Sequence, residues 1–310
     1  MNIHNPIIYL PKRLITKSVL NNCLKRFVVK LIHKVLRKYA QVIKNIFVIT
    51  EILLDKLFFK RNLKILFSEK KDFEEGIKNG FLHTQHELQF GSLRNTDIQK
   101  YDLIVPLTIE DSLYLNKIRH LINNNPIPIP SKESILLCDN KYLFSKKLIE
   151  GGFKNFIPII NDRLEYPYIF KKKTDEWGRS THVIKDIEDE KKHEDILKSS
   201  EYFKQQLILG HREYATHIII KNRKIIKTLN IEYLFESEMP IKGKDIPIYK
   251  KTSHCPYIEI FKSILIYINY EGLCCFNYKV INGRPLIMEI NPRFGGSLTP
   301  FFFSFVRDIE

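Results

Sequence analysis

The stretch "RPLIMEINPRFGGS", residues 284–297, decides how the chain is read. Its first half has the composition of a β-strand, yet Glu289, Asn291 and Arg293 fall at alternate positions. Residues i, i+2 and i+4 of a strand project from one face. That spacing sets a carboxylate, an amide and a guanidinium side by side, with Met288 and Ile290 expected to point into a core. Gly295-Gly296 follows as a turn signal. Such a row suits a polyphosphate and a hard cation, and the plain alternative is a solvated strand end.

Working outward, "EGLCCFNYKVINGRPLIMEINPRFGG" (271–296) reads as a strand pair turned at Asn282-Gly283. A two-residue turn pairs residues whose numbers sum to 565, which sets Asn277 opposite Met288 and away from Glu289. A three-residue loop, 281–283 with a bulge, brings Asn277 onto the face of Glu289, and this longer loop is the one expected. Upstream, "EYFKQQLILGHREYATHIIIKNRKIIKTLN" (201–230) reads as a strand, a Gly-containing turn and a hairpin. "YPYIFKKK" (166–173) is a strand with a basic end, and "DEWGRSTHVIKD" (175–186) is a loop entering another strand. "CDNKYLFSKKLIEGGF" (138–153) is helical and stops at Gly-Gly.

Before these lies a Pro-rich connector, "NNNPIPIPSKES", and before that strand and helix alternate from residue 62. "NLKILFSE", "DFEEGIKNGFLHT", "YDLIVPLT" and "IEDSLYLNKIRHLINNN" argue a small parallel α/β unit. It contains no GxGxxG, so it is not a dinucleotide fingerprint. The chain as a whole is α/β (α+β). Expected divisions are a basic helical extension (1–61), an α/β unit (62–128) and a main domain (129–310), the last with a small lobe at about 166–208 and a C-terminal lobe at 209–310.

Composition bounds the function. The chain has 310 residues, 44 % hydrophobic and 27 % charged, as in an ordinary globular protein of about two domains. Five cysteines form no CxxC pair, and reduced core thiols are expected. Apolar runs are too short for a membrane span, and Lys12, Arg13 and Lys17 interrupt any signal-peptide core. The expected location is cytoplasmic, with peripheral membrane contact as the variant. Net charge is +15, but residues 1–61 hold thirteen Lys/Arg against Glu51 and Asp55. That is +11 in the extension and only +4 elsewhere, so a nucleic-acid partner is not expected for the main body. In the extension, Leu20, Leu24, Phe27, Val28, Leu31, Ile32, Val35 and Leu36 recur at helical spacing with Arg26, Lys30, Lys34, Arg37 and Lys38 between them. Such a helix lies on an anionic membrane, docks on a partner, or covers the protein's own core.

Taken in order, the segments from residue 62 onward resemble the ATP-grasp superfamily, nearest the carboxylate–amine ligases and carbamoyl phosphate synthetase. "EINPRFGGS" is the most specific piece. The resemblance implies two lobes that sandwich a nucleotide, with ATP and magnesium as cofactors. It implies that Lys141 (in "DNKYLF") and Lys171 (in "YPYIFK") reach the phosphates, and that "WGRST", with Gly178 and Ser180, is the phosphate-covering loop. The hinge "QQLILGHREY" implies adenine contacts from Gln206, Leu207 and Ile208, and ribose contacts from Glu213. Glu289 and Asn291 match the metal ligands, Asn277 the third ligand, and Arg293 the catalytic arginine. Departures are the neutral Asn277, Gln206 where glutamate is common, Lys172 where proline is common, and a loop with one glycine. The implied reaction is ATP-dependent activation of a small-molecule carboxylate and its transfer to an amine. A catalytically degenerate nucleotide-binding module is the alternative. The substrate pocket is expected from residues 229–254, and amino acids, small peptides and uronic acids all remain open as substrates. His182, His211, His217 and His254 are read as structural. The chain stops fourteen residues after Gly296, so a short C-terminal lobe, or one completed by a partner, is expected.

Overall fold

A computed structural model describes residues 22–58, 62–122, 125–176, 178–307 and 309. Residues 1–21 and 59–61 of the basic extension, and Trp177 of the "WGRST" loop, lie outside the described residues.

The chain opens with the long helix α1 (Asn22–Phe58). Next come β1 (Lys64–Phe67), α2 (Lys71–Phe81), β2 (Glu87–Phe90), β3 (Leu103–Val105) and α3 (Ile109–Lys117). Both β2 and β3 pair parallel to β1, giving the order β2-β1-β3. The strands β1 and β3 were legible as apolar runs, whereas β2 was not, because "ELQF" alternates exposed and half-buried at a sheet edge. Thr108 caps α3 by accepting the Asp111 N–H, which fixes where the chain turns from strand into helix.

Two helices follow, α4 (Lys132–Asp139) and α5 (Lys141–Leu148). The single helix expected over 138–153 is interrupted at Asn140, whose Oδ1 accepts the Leu143 N–H and so restarts the helix at Lys141. A small antiparallel sheet has the order β5-β4-β6, from β4 (Tyr168–Lys172), β5 (Thr181–Ile184) and β6 (Tyr202–Gln206). The short helices α6 (Ile187–Lys192) and α7 (Glu194–Leu197) connect β5 to β6. The large antiparallel sheet has the order β11-β10-β7-β8-β9. Its strands are β7 (Arg212–Lys221), β8 (Lys224–Leu234), β9 (Tyr249–Ser253), β10 (Gly272–Ile281) and β11 (Arg284–Asn291). The helix α8 (Ile258–Tyr267) links β9 to β10, and α9 (Phe303–Val306) follows β11.

Alternation along the large sheet gives it two apolar faces. Ile218, Ile220, Cys274, Phe276, Tyr278 and Ile287 pack on one side with α4, α5 and α8. Ala215, Ile219, Ile231 and Leu273 face the other side, joining a core with β1, α2 and the aromatic C-terminal segment. Phe302 sits edge-on to Phe67 and Phe294 there, an arrangement that adds directional aromatic contact to area burial. Cys138, Cys255, Cys274 and Cys275 are free and buried in these cores. Among the described residues no helix is long and apolar enough to cross a membrane.

The β10–β11 hairpin differs from the longer loop expected. Ile281 pairs with Arg284, so the turn is the tight two-residue one, with Asn282 (φ 50°) and Gly283 (φ 74°) both left-handed. That geometry matches the twist of the strands and needs no third residue. The surplus residue sits elsewhere: the register shifts between Asn277 and Tyr278, leaving Met288 unpaired as a β-bulge. Beyond the bulge, Asn277 pairs with Glu289 after all. The bulge also corrects the inward placement of Met288, which is half-buried beside Glu289 while Ile287 and Ile290 take the core positions.

Candidate functional site

The small sheet stands over the cavity-facing side of the large one, and a cavity of about 500 Å³ separates them, within the usual range for a small-molecule site. Lys141, Lys171, Gly178, Glu213, Asn277, Glu289, Asn291 and Arg293 all line it. Four elements deliver them. The start of α5 supplies Lys141, β4 and the loop after it supply Lys171 and Gly178, β7 supplies Glu213, and the bulged hairpin with the segment just past it supplies Asn277, Glu289, Asn291 and Arg293. These residues lie up to 152 positions apart in sequence, from Lys141 to Arg293, and line one cavity.

Glu289 is the centre of the arrangement. Its Oε1 accepts Nδ2 of Asn277 at 2.7 Å and Nδ2 of Asn291 at 3.2 Å, while Lys141 Nζ lies 3.4 Å from Oε2. Burial opposes the charge of Glu289, but Lys141, Lys171, the Asn277 hydrogen bond and Lys242 outweigh it and draw its pKa down to about 2. Lys171 Nζ donates to the carbonyl of the bulge residue Met288 at 3.0 Å, tying the two sheets together. Burial lowers the pKa of Lys171 to about 8, with Glu289 opposing. Lys141 Nζ also donates to the Asp175 carbonyl at 2.6 Å. Glu213 is buried, and desolvation raises its pKa against the pull of Lys242 and Lys279.

Several expected contacts are not brought to the cavity. Gln206, Leu207, Ile208 and Ser180 are absent from its lining. The amide Oε1 of Gln206 accepts the Ile159 N–H at 3.2 Å, and its own N–H donates to the Ile159 carbonyl. Leu207 and Ile208 are buried, and the Ile208 carbonyl accepts Lys279 Nζ at 2.8 Å. The Ser180 N–H donates to Asp175 Oδ2 and the Arg179 N–H to the Glu176 carbonyl, so the loop's donors close its own turn. Arg293 is buried at 8 % exposure, with Nη2 3.1 Å from Glu176 Oε1. Glu176 in turn reaches Lys70 at 3.4 Å.

Other site residues were not legible in the sequence. The segment 240–247 forms one wall, as anticipated only in outline for 229–254. Within it, Lys242 Nζ donates to Asn277 Oδ1 and lies 3.6 Å from Glu213 Oε1. Burial pulls the pKa of Lys242 down, yet Tyr233, Glu213, Cys275 and Glu289 together hold it above the ordinary lysine value. The ammonium therefore occupies the place between amide and carboxylates that a cation would favour. His217 is fully buried, with Nε2 2.8 Å from Ser297 Oγ, and burial lowers its pKa to about 3, so it is neutral. Gly295 allows that approach: a Cβ there would stand 2.6 Å from His217 Cε1. "KGK" at 242–244 reads as a solvated charge run, and only the fold reveals that it enters a cavity.

Six cationic side chains, Lys141, Lys171, Lys242, Lys244, Lys250 and Arg293, face three carboxylates, Glu213, Asp245 and Glu289. The cavity is thus net positive and suited to a polyanion. Among the described residues no three His, Cys, Asp or Glu side chains form a metal-holding group. At the hairpin the cation donors are one carboxylate, Glu289, and two amides, Asn277 and Asn291.

No family model matches the sequence, and no curated protein matches it significantly. Solved structures do match by fold. Phosphoribosylamine–glycine ligase from Thermotoga maritima superposes with a TM-score of 0.56 at 15 % identity, over 76 % of this chain and 70 % of that one. L-amino acid ligase from Bacillus licheniformis gives 0.54 at 13 % identity, over 78 % and 70 %. N5-carboxyaminoimidazole synthetase from Staphylococcus aureus, complexed with ADP, gives 0.52 at 14 % identity, over 77 % and 73 %. At these identities the likeness is one of fold. With its two sheets facing across a cavity and "EINPR" at its base, the chain has the ATP-grasp fold.

Proposed function

We propose that the cavity binds ATP with magnesium and that the protein is an ATP-dependent ligase, activating a carboxylate and passing it to an amine. The observation that carries this is the convergence of Lys141, Lys171, Asn277, Glu289, Asn291 and Arg293 on one net-positive cavity between two sheets. The neighbours in fold include two ligases and a synthetase complexed with ADP, which supports the nucleotide and the reaction class.

The donor set fits magnesium. Glu289 offers a carboxylate, and Asn277 and Asn291 offer amide oxygens once their side chains turn over, since both amides already touch the same carboxylate oxygen. Hard oxygen donors completed by phosphate oxygens are what this ion prefers. Bound there, the metal would neutralise charge on the phosphates. Lys141 and Lys171 are held at the cavity wall by backbone carbonyls and would add point charges against the same phosphates. The carboxylate substrate attacks the γ-phosphorus, giving an acyl phosphate and ADP. The amine then attacks the acyl carbon and phosphate leaves. Arg293 would exchange Glu176 for the transferring group and stabilise the charge that develops on it. No protein nucleophile is required.

A second reading, nucleotide binding without turnover, rests on Lys242 sitting on Asn277 and on Glu176 sitting on Arg293. Thermal unfolding with and without ATP and magnesium, followed by ADP release over a panel of acids and amines, separates the two. Stabilisation with acid-dependent ADP release supports the ligase. Stabilisation without release across the panel supports the binding module, and no stabilisation at millimolar ATP removes both.

A further inference from the structure

Helix α1 has one side on the body and another with nothing over it among the described residues. On the body side, Leu36 and Ala40 pack against Ile248 and Tyr249, and Phe47 meets Phe301 edge-on. Arg37 Nε donates to the Ile248 carbonyl at 2.7 Å. The helix is therefore a fixed part of the molecule. Away from the body, Val28, Ile32, Val35, Tyr39, Val42, Ile46, Ile49 and Leu53 recur in alternating steps of four and three. Every one of them is exposed, Val35 and Ile46 each to 60 %. Steps of four and three keep side chains on one stripe of a helix. A continuous exposed row of this length on an otherwise well-buried protein marks an interaction surface.

Charge selects the occupant. From residue 22 to residue 50 the helix contains Lys25, Arg26, Lys30, Lys34, Arg37, Lys38 and Lys44 and no acidic residue. Lys30, Lys34 and Lys38, all exposed, follow each other at steps of four across the adjoining polar face, and Lys38 borders the stripe, three residues from Val35 and four from Val42. A second copy of the helix would bring like charges together along residues 25–44, the helix's only acids being Glu51 and Asp55 near its end. An anionic lipid surface answers both features at once. It takes the aliphatic stripe into the boundary of the acyl chains and the lysines into the headgroups, reached by their flexible stems.

We infer that the exposed stripe of α1 docks the protein on an anionic membrane surface. The docked helix lies directly against Ile248, which adjoins the cavity wall formed by 240–247, so the lipid surface and the cavity share a structural element. This inference is independent of the nucleotide reading, because it concerns a different face and a different ligand.

The test is co-sedimentation of the full chain with vesicles of phosphatidylcholine alone and of phosphatidylcholine mixed equally with phosphatidylglycerol. Two variants accompany it, Val35→Asp with Ile46→Asp, and Lys30→Gln with Lys34→Gln and Lys38→Gln. All five positions are exposed, and matching circular dichroism and unfolding midpoints check that folding is intact. Binding is expected to the mixed vesicles only and to weaken with salt. Each lysine near the surface contributes about 1 kcal/mol, so the triple variant should bind about a hundredfold more weakly. The aspartate variant should not sediment. Equal binding to both vesicle types, no binding, or binding unchanged in the variants overturns the inference. A lipid-free dimer in sedimentation velocity that the aspartate variant dissolves also overturns it, by assigning the stripe to a second copy.

Discussion

Glu289→Gln removes one charge from the centre of the cavity and keeps its shape. The carboxylate is drawn from 4.5 to about 2 despite its burial, chiefly by Lys141 and Lys171. At about 1.4 kcal/mol per pKa unit, the ionised form is worth about 3 kcal/mol to the folded state. The sign follows from the depressed pKa: this stability is complete above about 4.5 and is lost as pH falls toward 2. The variant should therefore unfold about 3 kcal/mol more easily at pH 7, and its deficit should shrink below pH 4.5. In domains of 150–250 residues that corresponds to roughly 6–12 °C in the midpoint. Urea and thermal unfolding across pH, each with ATP alone and with ATP and magnesium, measure both parts. Magnesium should add to nucleotide stabilisation in the wild type and add nothing in the variant, while ATP alone binds the variant at least as well. An unchanged magnesium increment, or a pH-independent stability difference below about 0.5 kcal/mol, would refute the placement of charge and metal at Glu289.

Three other perturbations probe the same wall. Lys171 loses its proton near pH 8 in the free protein, so ATP affinity should fall about fivefold between pH 8 and pH 9 by equilibrium titration, and Lys171→Arg should flatten that fall. Deleting Met288 should regularise the hairpin, because Glu289 then opposes Asn277 without a bulge. The cost should be about 2 kcal/mol for the acceptor Lys171 loses, and failure to fold would contradict the assignment of Met288 as the surplus residue. Lys242→Gln should tighten magnesium binding in the absence of nucleotide by about tenfold or more, read by calorimetry, and an unchanged constant would mean that ammonium and metal do not compete.

What could be read in advance depended on how local its cause is. The strands at 64–67, 103–105 and 168–172 are apolar runs between turn signals, and the order of segments pointed to the fold. Glu289 and Asn291 were legible because a strand's alternation is a two-residue rule, whereas the strand ends at Asn291 and Arg293 was marked only by the motif. The Asn277–Glu289 contact was expected for the wrong reason. Asn282-Gly283 is a strong signal for the tight turn, and the compensating residue lies five positions further on, at a bulge no local pattern marks. Lys242 and Glu176 escaped notice because each acquires its role from a partner 35 or 117 residues away. Gln206 and Ile208 show the reverse: the motif was visible, but Ile159 and Lys279, distant in sequence, already engage the groups it offers.

The neutral Asn277 and the cationic Lys242 belong to one electrostatic argument. A bare divalent ion entering the cavity meets six cationic side chains and only three carboxylates. It gains little from Asn277, a neutral donor, and must displace an ammonium that Glu213 and Glu289 hold charged. A triphosphate reverses each of these terms. It brings the negative charge that a third carboxylate would otherwise supply, and it offers Lys242 an alternative partner as the metal takes Asn277. On the proposed reading, metal and nucleotide therefore enter together, and the amide at 277 is compatible with a working site because the missing charge arrives with the substrate.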